Sequence, residues 1–154
     1  MKLHGLPPVI DDDISVIILG SFPSEESLRQ KQYYANPRNH FWKVLGAVLD
    51  IDLESLPYEE RMKKLLAHHI GIWDAYAQCE RTGSLDNNIR DPVANDFFCI
   101  RTPHLKRIFC NGRKASQVAS MLPFEPDILP STSPAHTMTL PEKIAAWNII
   151  KEFL

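Results

Sequence analysis

The chain reads as a three-layer α/β/α sandwich around a short, mostly parallel four-stranded sheet. Three observations predict this class. Four apolar runs each end at a turn signal, helical patterns lie between them, and 154 residues are enough to bury a substantial core. Strands that alternate with helices need crossover connections, which give a parallel sheet covered on both faces. The whole chain, residues 1–154, is read as one domain, since no repeat, low-complexity tract or linker divides it.

The strands are expected at Ser15 to Gly20, Ile70 to Asp74, Arg107 to Asn111 and Asp127 to Leu129. Phe41, Val44, Leu45, Val48 and Leu49 follow the i, i+3, i+4, i+7, i+8 stripe of an amphipathic helix, and Met62, Leu65, Leu66 and His69 continue in kind. Ala115, Val118, Ala119 and Leu122 repeat the spacing after the Asn111-Gly112 turn. A last helix starts at the capping box Thr139-x-x-Glu142 with Pro141 in its first turn, and its apolar face is Ile144, Trp147, Ile150 and Leu154. Trp42, Trp73 and Trp147 are expected in the core.

Composition narrows the function classes. With 17 basic and 19 acidic residues the net charge is −2, so affinity for nucleic acid must come from a local basic face. Three cysteines without CxxC spacing argue against a disulfide scaffold and fit a reducing cytoplasm. Cys99-x₄-His104-x₅-Cys110 matches no common zinc spacing, so no metal and no cofactor is expected. Nothing resembles a signal peptide or a membrane-spanning stretch, so the expectation is a soluble cytoplasmic protein, by default a monomer. Ser21 and Ser133 lack the Gly-x-Ser-x-Gly elbow of a hydrolase triad.

In open α/β folds, ligands bind beyond the carboxyl ends of the strands. Here those ends are Gly20-Ser21-Phe22-Pro23-Ser24, Asp74-Ala75-Tyr76, Asn111-Gly112-Arg113-Lys114 and Pro130-Ser131-Thr132-Ser133-Pro134-Ala135-His136. Beside the first lies Asn36-Pro37-Arg38-Asn39-His40-Phe41-Trp42, two amides and an arginine bracketed by aromatics. Amides and aromatics suit the reading and stacking of a planar heterocycle. No acid, thiol or metal cluster accompanies them, so binding and positioning are implied rather than covalent attack. Each residue also has a plainer role available. Asn39 can cap the helix starting at Phe41, Asn111 and Asp74 can serve ordinary turns, Phe22 can pack its loop, and His136 can be solvated.

The strand ending in Gly20-Ser21-Phe22-Pro23-Ser24, the Tyr33-to-Trp42 segment, Gly71-Ile72-Trp73-Asp74, Arg81-Thr82-Gly83-Ser84-Leu85-Asp86, Phe109-Cys110-Asn111-Gly112 and the Ser131-to-His136 loop together resemble the uracil-DNA glycosylase superfamily. Their order is most similar to its hypoxanthine-DNA (deoxyinosine) glycosylase branch, family six. The resemblance implies a monofunctional glycosylase that hydrolyses the N-glycosidic bond of deaminated bases, above all hypoxanthine, in base excision repair. Its partner would be DNA containing such bases. It assigns the catalytic amide to Asn39. Ser21 and Phe22 stand where the uracil enzymes carry a water-orienting aspartate and the mismatch-specific branch an asparagine. That departure keeps two alternatives open: uracil or mismatched thymine as substrate, and a non-catalytic nucleic-acid-binding member of the fold.

Under this reading Asn39 fixes a water beneath the anomeric carbon, since an amide cannot titrate as a base near neutral pH. Asn111 is the candidate reader of the N–H and carbonyl edge of hypoxanthine, with Asp74 as a second acceptor. Gly20, Ser21 and Phe22 line the base site, with Phe22 as the stacking ring, and His136 bonds the leaving base or a phosphate. Arg38, Ser131, Ser133, Arg113 and Lys114 are expected on the DNA backbone, with free N–H groups of the 131–136 loop and a helix start at 113–114 as anion sites.

Overall fold

Val16, Ile17, Ile18 and Leu19 carry no polar side chain, and the segment Val16–Gly20 is buried throughout, which suits the middle of a sheet covered on both faces. The computed structural model describes residues 2–154. Strands β1 (Lys2–His4) and β2 (Val16–Gly20) precede helices α1 (Glu25–Gln30), α2 (Phe41–Leu49) and α3 (Tyr58–Ala67). Strands β3 (Ile70–Asp74), β4 (Tyr76–Glu80), β5 (Arg90–Ala94), β6 (Arg107–Asn111) and β7 (Asp127–Leu129) follow, and α4 (Leu140–Trp147) continues into a 3-10 segment over Asn148–Phe153.

The main sheet has the order β3-β2-β6-β7, and every pairing in it is parallel. Its register matters for function. Gly20 pairs with Asp74, Leu19 with Cys110, and Asn111 with Leu129. The carboxyl ends of β2, β3 and β6 therefore stop at one level, and Gly20, Asp74 and Asn111 meet at that edge.

The two layers against the sheet are unequal. On one face Val16, Ile18, Ile70, Ile72, Phe109 and Leu129 pack against Phe41, Val44 and Leu45 of α2, Met62 and Leu65 of α3, and Trp147 of α4. On the other, Leu19, Trp73, Ile108 and Cys110 meet Ala115, Val118 and Leu122, with Leu28 of α1 and Tyr76 and Cys79 of β4. All three tryptophans are buried, as expected.

Two features of this thinner layer differ from the sequence expectation. Ala115–Met121 is a 3-10 helix rather than an α-helix. Ser116 bonds back to the Arg113 carbonyl through both its N–H and its hydroxyl, which tightens the first turn. Ala115 and Val118 still face the sheet, because i and i+3 share a face under either period. The second difference is a small antiparallel sheet, β1-β4-β5. Its edge strand β5 is mostly exposed and carries Pro92, so no buried apolar pattern marks it in the sequence.

The Thr139 box forms as a cap. Its hydroxyl oxygen accepts from the Glu142 N–H and donates to the Glu142 carboxylate.

Candidate active site

The strand ends open into a cleft of about 580 Å³. Gly20, Ser21 and Phe22 line it from the first loop, Asp74 from β3, Asn111 from β6, and Ser131 to His136 from the last loop. Arg38 and Asn39 enter from the segment before α2. Ten of the twelve residues expected on sequence grounds thus border one cavity. Arg113 and Lys114 do not line it, and the 3-10 turn after them offers no α-helical N-terminus for an anion. The anion site expected there is corrected accordingly.

Gly20 is required at the floor by close approach. A Cβ there would lie 2.5 Å from Asp74 Oδ1 and 3.1 Å from the Tyr34 hydroxyl. Beside it both donor positions of the Asn111 amide and one acceptor position are taken. Nδ2 donates to Thr132 Oγ1 at 2.9 Å and to the Tyr34 hydroxyl at 3.3 Å, and Oδ1 accepts from the Thr132 N–H at 2.9 Å. Asp74 contrasts with it. Its carboxyl is buried, and Oδ2 has no hydrogen-bond partner. Burial, reinforced by the negative charge of Asp86 and opposed by Arg81, pushes this carboxyl up to about 7.

Asn39 is fixed by the backbone around it. Its N–H donates to Asn36 O, and its Oδ1 accepts from the Phe41 N–H at 2.9 Å. His40, not Asn39, is the N-cap of α2 and makes no side-chain cap bond. Asn39 stands one residue before it, and the Asx turn it forms to the first helical N–H holds its amide at the cleft. His40 ties this segment to the last loop by donating its N–H to Thr132 O. Tyr34 stacks on Phe41 with centroids 3.8 Å apart and planes 6° off parallel, which sets a flat aromatic wall in the cleft. Its backbone is left-handed, at φ 54°.

The last loop spends most of its N–H groups within the fold. Thr132 N–H goes to Asn111, Ser133 N–H to Ser131 Oγ, Ala135 N–H to Ser133 Oγ and His136 N–H to Ser133 O, while Pro134 has none. The run of successive free N–H groups expected of a phosphate nest over 132–136 is thereby corrected, which leaves chiefly side chains for an anion. Lys143 of α4, fully buried, supports the loop from beneath, with Nζ 3.4 Å from Ser133 O and 3.3 Å from His40 Nδ1. Desolvation lowers its pKa.

Comparison with known proteins agrees with this architecture. The family model described as "Uracil DNA glycosylase superfamily" matches residues 7–152. The chain belongs to that superfamily. A Methanosarcina barkeri protein named hypoxanthine DNA glycosylase is 37% identical over 152 residues, 96% of each chain. Another so named, from Methanosarcina acetivorans, is 37% identical over 155 residues, 97% of this chain and 98% of that one. The solution NMR structure of a Methanosarcina acetivorans protein, described as a candidate uracil DNA glycosylase, superposes with a TM-score of 0.85 at 36% identity. That match covers 98% of this chain and 99% of the other.

Within this glycosylase fold, several site residues escaped sequence reasoning. Asp86 comes from a 3-10 turn over Asp86–Asn88, lines the cleft, and accepts from the Ser21 hydroxyl at 2.7 Å. A carboxylate is thus held against the first loop by a residue distant in sequence. Arg81 anchors the same segment, donating from Nε to Gly83 O and from Nη2 to Pro23 O, with its guanidinium over the Phe22 ring. That ring lies in the thinner layer's core and is 7% exposed, so Tyr34 presents the flatter wall to the cleft. The Tyr34 aromatic and the Thr132 hydroxyl had no distinguishing signal in the sequence. Among the described residues no His, Cys, Asp and Glu group is arranged to hold a metal, and no helix is long and apolar enough to cross a membrane.

Proposed function

We propose that this superfamily member is a monofunctional DNA glycosylase whose principal substrate is hypoxanthine in DNA, with Asn39 as its catalytic amide. The supporting observation is the Asn39 side chain at the cleft, fixed through Oδ1 by the Phe41 N–H. The names of the two Methanosarcina relatives support the choice of base. The lesion nucleotide turns out of the duplex and enters between the first and last loops, with Tyr34 or Phe22 beside the base.

Hydrolysis then breaks the bond from C1′ to the base nitrogen. The electron pair leaves with the base, and water adds to C1′. The remaining lone pair of Asn39 Oδ1 accepts from that water and orients it, which is positional rather than basic catalysis. Asn111, tied to Thr132 and Tyr34, sets the floor on which the base rests. Arg38, His136, Ser131 and Ser133 contact the flanking backbone by their side chains, and Arg113 with Lys114 contribute charge outside the cleft. One domain spanning residues 1–154 carries this out as a cytoplasmic monomer, without metal or cofactor.

The test is release of base from duplexes carrying one hypoxanthine, uracil, xanthine or mismatched thymine, read as alkali-dependent strand breaks. Breaks at hypoxanthine that vanish in Asn39→Ala support the assignment. Breaks confined to uracil or thymine reassign the substrate. Lesion binding without cleavage, unchanged in Asn39→Ala, makes the chain a binding member of the fold.

A further inference from the structure

We propose that Asp74 meets the base as a neutral carboxylic acid and donates its proton in a hydrogen bond to the carbonyl oxygen that deamination creates. This deepens the glycosylase reading above and rests on it.

Three observations converge on Asp74. The first is placement. It ends β3 in register with Gly20, and the absent Cβ of Gly20 leaves room for Oδ1 at the floor of the cleft. The second is solvation. The residue is 4% exposed, Oδ2 is buried without a partner, and among the described residues the hydrogen bond it receives in the site goes to its backbone, from Asn95 Nδ2 to Asp74 O. An anion so starved of donors is costly to keep. The third is that, among the described residues, no cation forms an ion pair with it. Arg81 spends Nε and Nη2 on backbone carbonyls, and its Nη1 is itself buried without a partner.

The groups that face Asp74 work the same way. Asp86, on its own turn, repels a second negative charge, and Arg81 only partly offsets this. Tyr33, Tyr34 and Tyr58, from the segment before α2 and the start of α3, feel the Asp74 charge and are neutral near pH 7. β2 contributes only Gly20 at this level.

The chemistry demands a donor there. As the glycosidic bond breaks, negative charge gathers on the departing base and its carbonyl oxygen. A carboxylate against that oxygen would oppose the reaction, whereas an acid O–H strengthens its bond as the charge grows. No proton transfer is needed. The same O–H sorts substrates. Deamination of adenine or cytosine replaces an amino donor with a carbonyl acceptor. The acid therefore finds a partner in hypoxanthine and uracil and meets another N–H in adenine and cytosine. Guanine and thymine carry the same carbonyl and are not rejected by this contact. The chemical feature read is a carbonyl where adenine or cytosine carries its amino group, rather than one named lesion.

The experiment measures single-turnover release of hypoxanthine from duplex DNA by the full chain between pH 6 and 8. The parent protein, Asp74→Asn and Asp86→Asn are compared. A group titrating near 7 is mostly neutral at pH 6 and mostly ionised at pH 8, so the parent rate should fall about tenfold across this range. The Asp74→Asn amide donates at every pH, and its profile should be flat to within about twofold. Asp86→Asn removes a repelling charge, so the fall should begin at lower pH. A parent profile that is flat or rises, or a fall that persists in Asp74→Asn, overturns the proposal while leaving the glycosylase reading intact. A second readout covers the case in which Asp74→Asn fails to fold. Binding of deoxyinosine duplex by Asn39→Ala, relative to the matched deoxyadenosine duplex, should weaken from pH 6 to 8; a constant ratio overturns the proposal. No base released by the folded parent at any pH overturns the glycosylase reading, and this inference with it.

Discussion

Asn111 and Asp74 end the two strands that flank β2, at the same level and both buried, yet their side chains live in opposite conditions. The Asn111 amide makes three hydrogen bonds, two of them to Thr132, and so latches the last loop to the sheet. Asp74 has a buried oxygen with no partner at all. A polar group whose donors are all paired within the protein has little left to offer a ligand and serves chiefly to hold the fold. An unsatisfied one costs stability until something else fills the site. On the proposed reading, the bonding of two buried polar residues in one cleft separates the one that serves structure from the one that serves chemistry.

The largest expected effect tests the rim rather than the floor. Asn39→Ala should lower the single-turnover rate about 10²–10³-fold, by analogy with loss of one preorganised hydrogen-bonding group. Loss of the Asx-turn hydrogen bond should cost only ~1 kcal/mol, so thermal melting and rate should separate. Next comes Gly20→Ala, which forces Asp74 and Tyr34 apart at the floor. A displacement near 1 Å there should cost about 10²-fold in rate. Retention of full rate would show that the floor yields.

The comparison itself is sharpened by stability. Asn111→Ala leaves the buried Thr132 N–H and hydroxyl unpaired and should destabilise by about 1–3 kcal/mol at every pH. Asp74→Asn should do the reverse, and only at higher pH. The native carboxyl titrates at about 7 against an ordinary 3.8. Between those values the folded chain holds a proton that the unfolded chain has released, so stability falls as pH rises through this window. Above about pH 7 the whole penalty is present. Asp74→Asn should therefore raise Tm at pH 8, by about 2–4 °C per kcal/mol recovered, with the gain vanishing toward pH 4. The smallest effect belongs to Arg113→Ala with Lys114→Ala. Outside the cleft, they should shift the salt dependence of DNA binding slightly and leave the rate constant nearly untouched.

The four parallel strands and the residues at their ends were legible because each buried strand is a short apolar run that stops at Gly, Asp, Asn or Pro. Asn39 was legible through its segment. Asp86 was not. It reaches the cleft through a hydrogen bond to Ser21, sixty-five positions away, and local sequence does not encode such a contact. Strand β5 was hidden because an exposed edge containing Pro92 has no alternation to read. The 3-10 character of Ala115–Met121 was hidden for a different reason: a spacing of three is compatible with both helices, and serine bonding to the backbone decided between them. The supply of N–H groups in the last loop was misjudged because its own serines absorb them.

The unequal layers carry a kinetic consequence. Asn39 stands on the side backed by α2 and α4, whereas the loop bearing Asp86 and Arg81 leans on short 3-10 segments and a sheet with an exposed edge. Thin layers open at lower free-energy cost than thick ones. Amide protons over Ala115–Met121 should thus exchange with solvent before those of α2. The cleft would then breathe from one jaw only, giving a bulky nucleotide a way in while Asn39 stays registered to its helix.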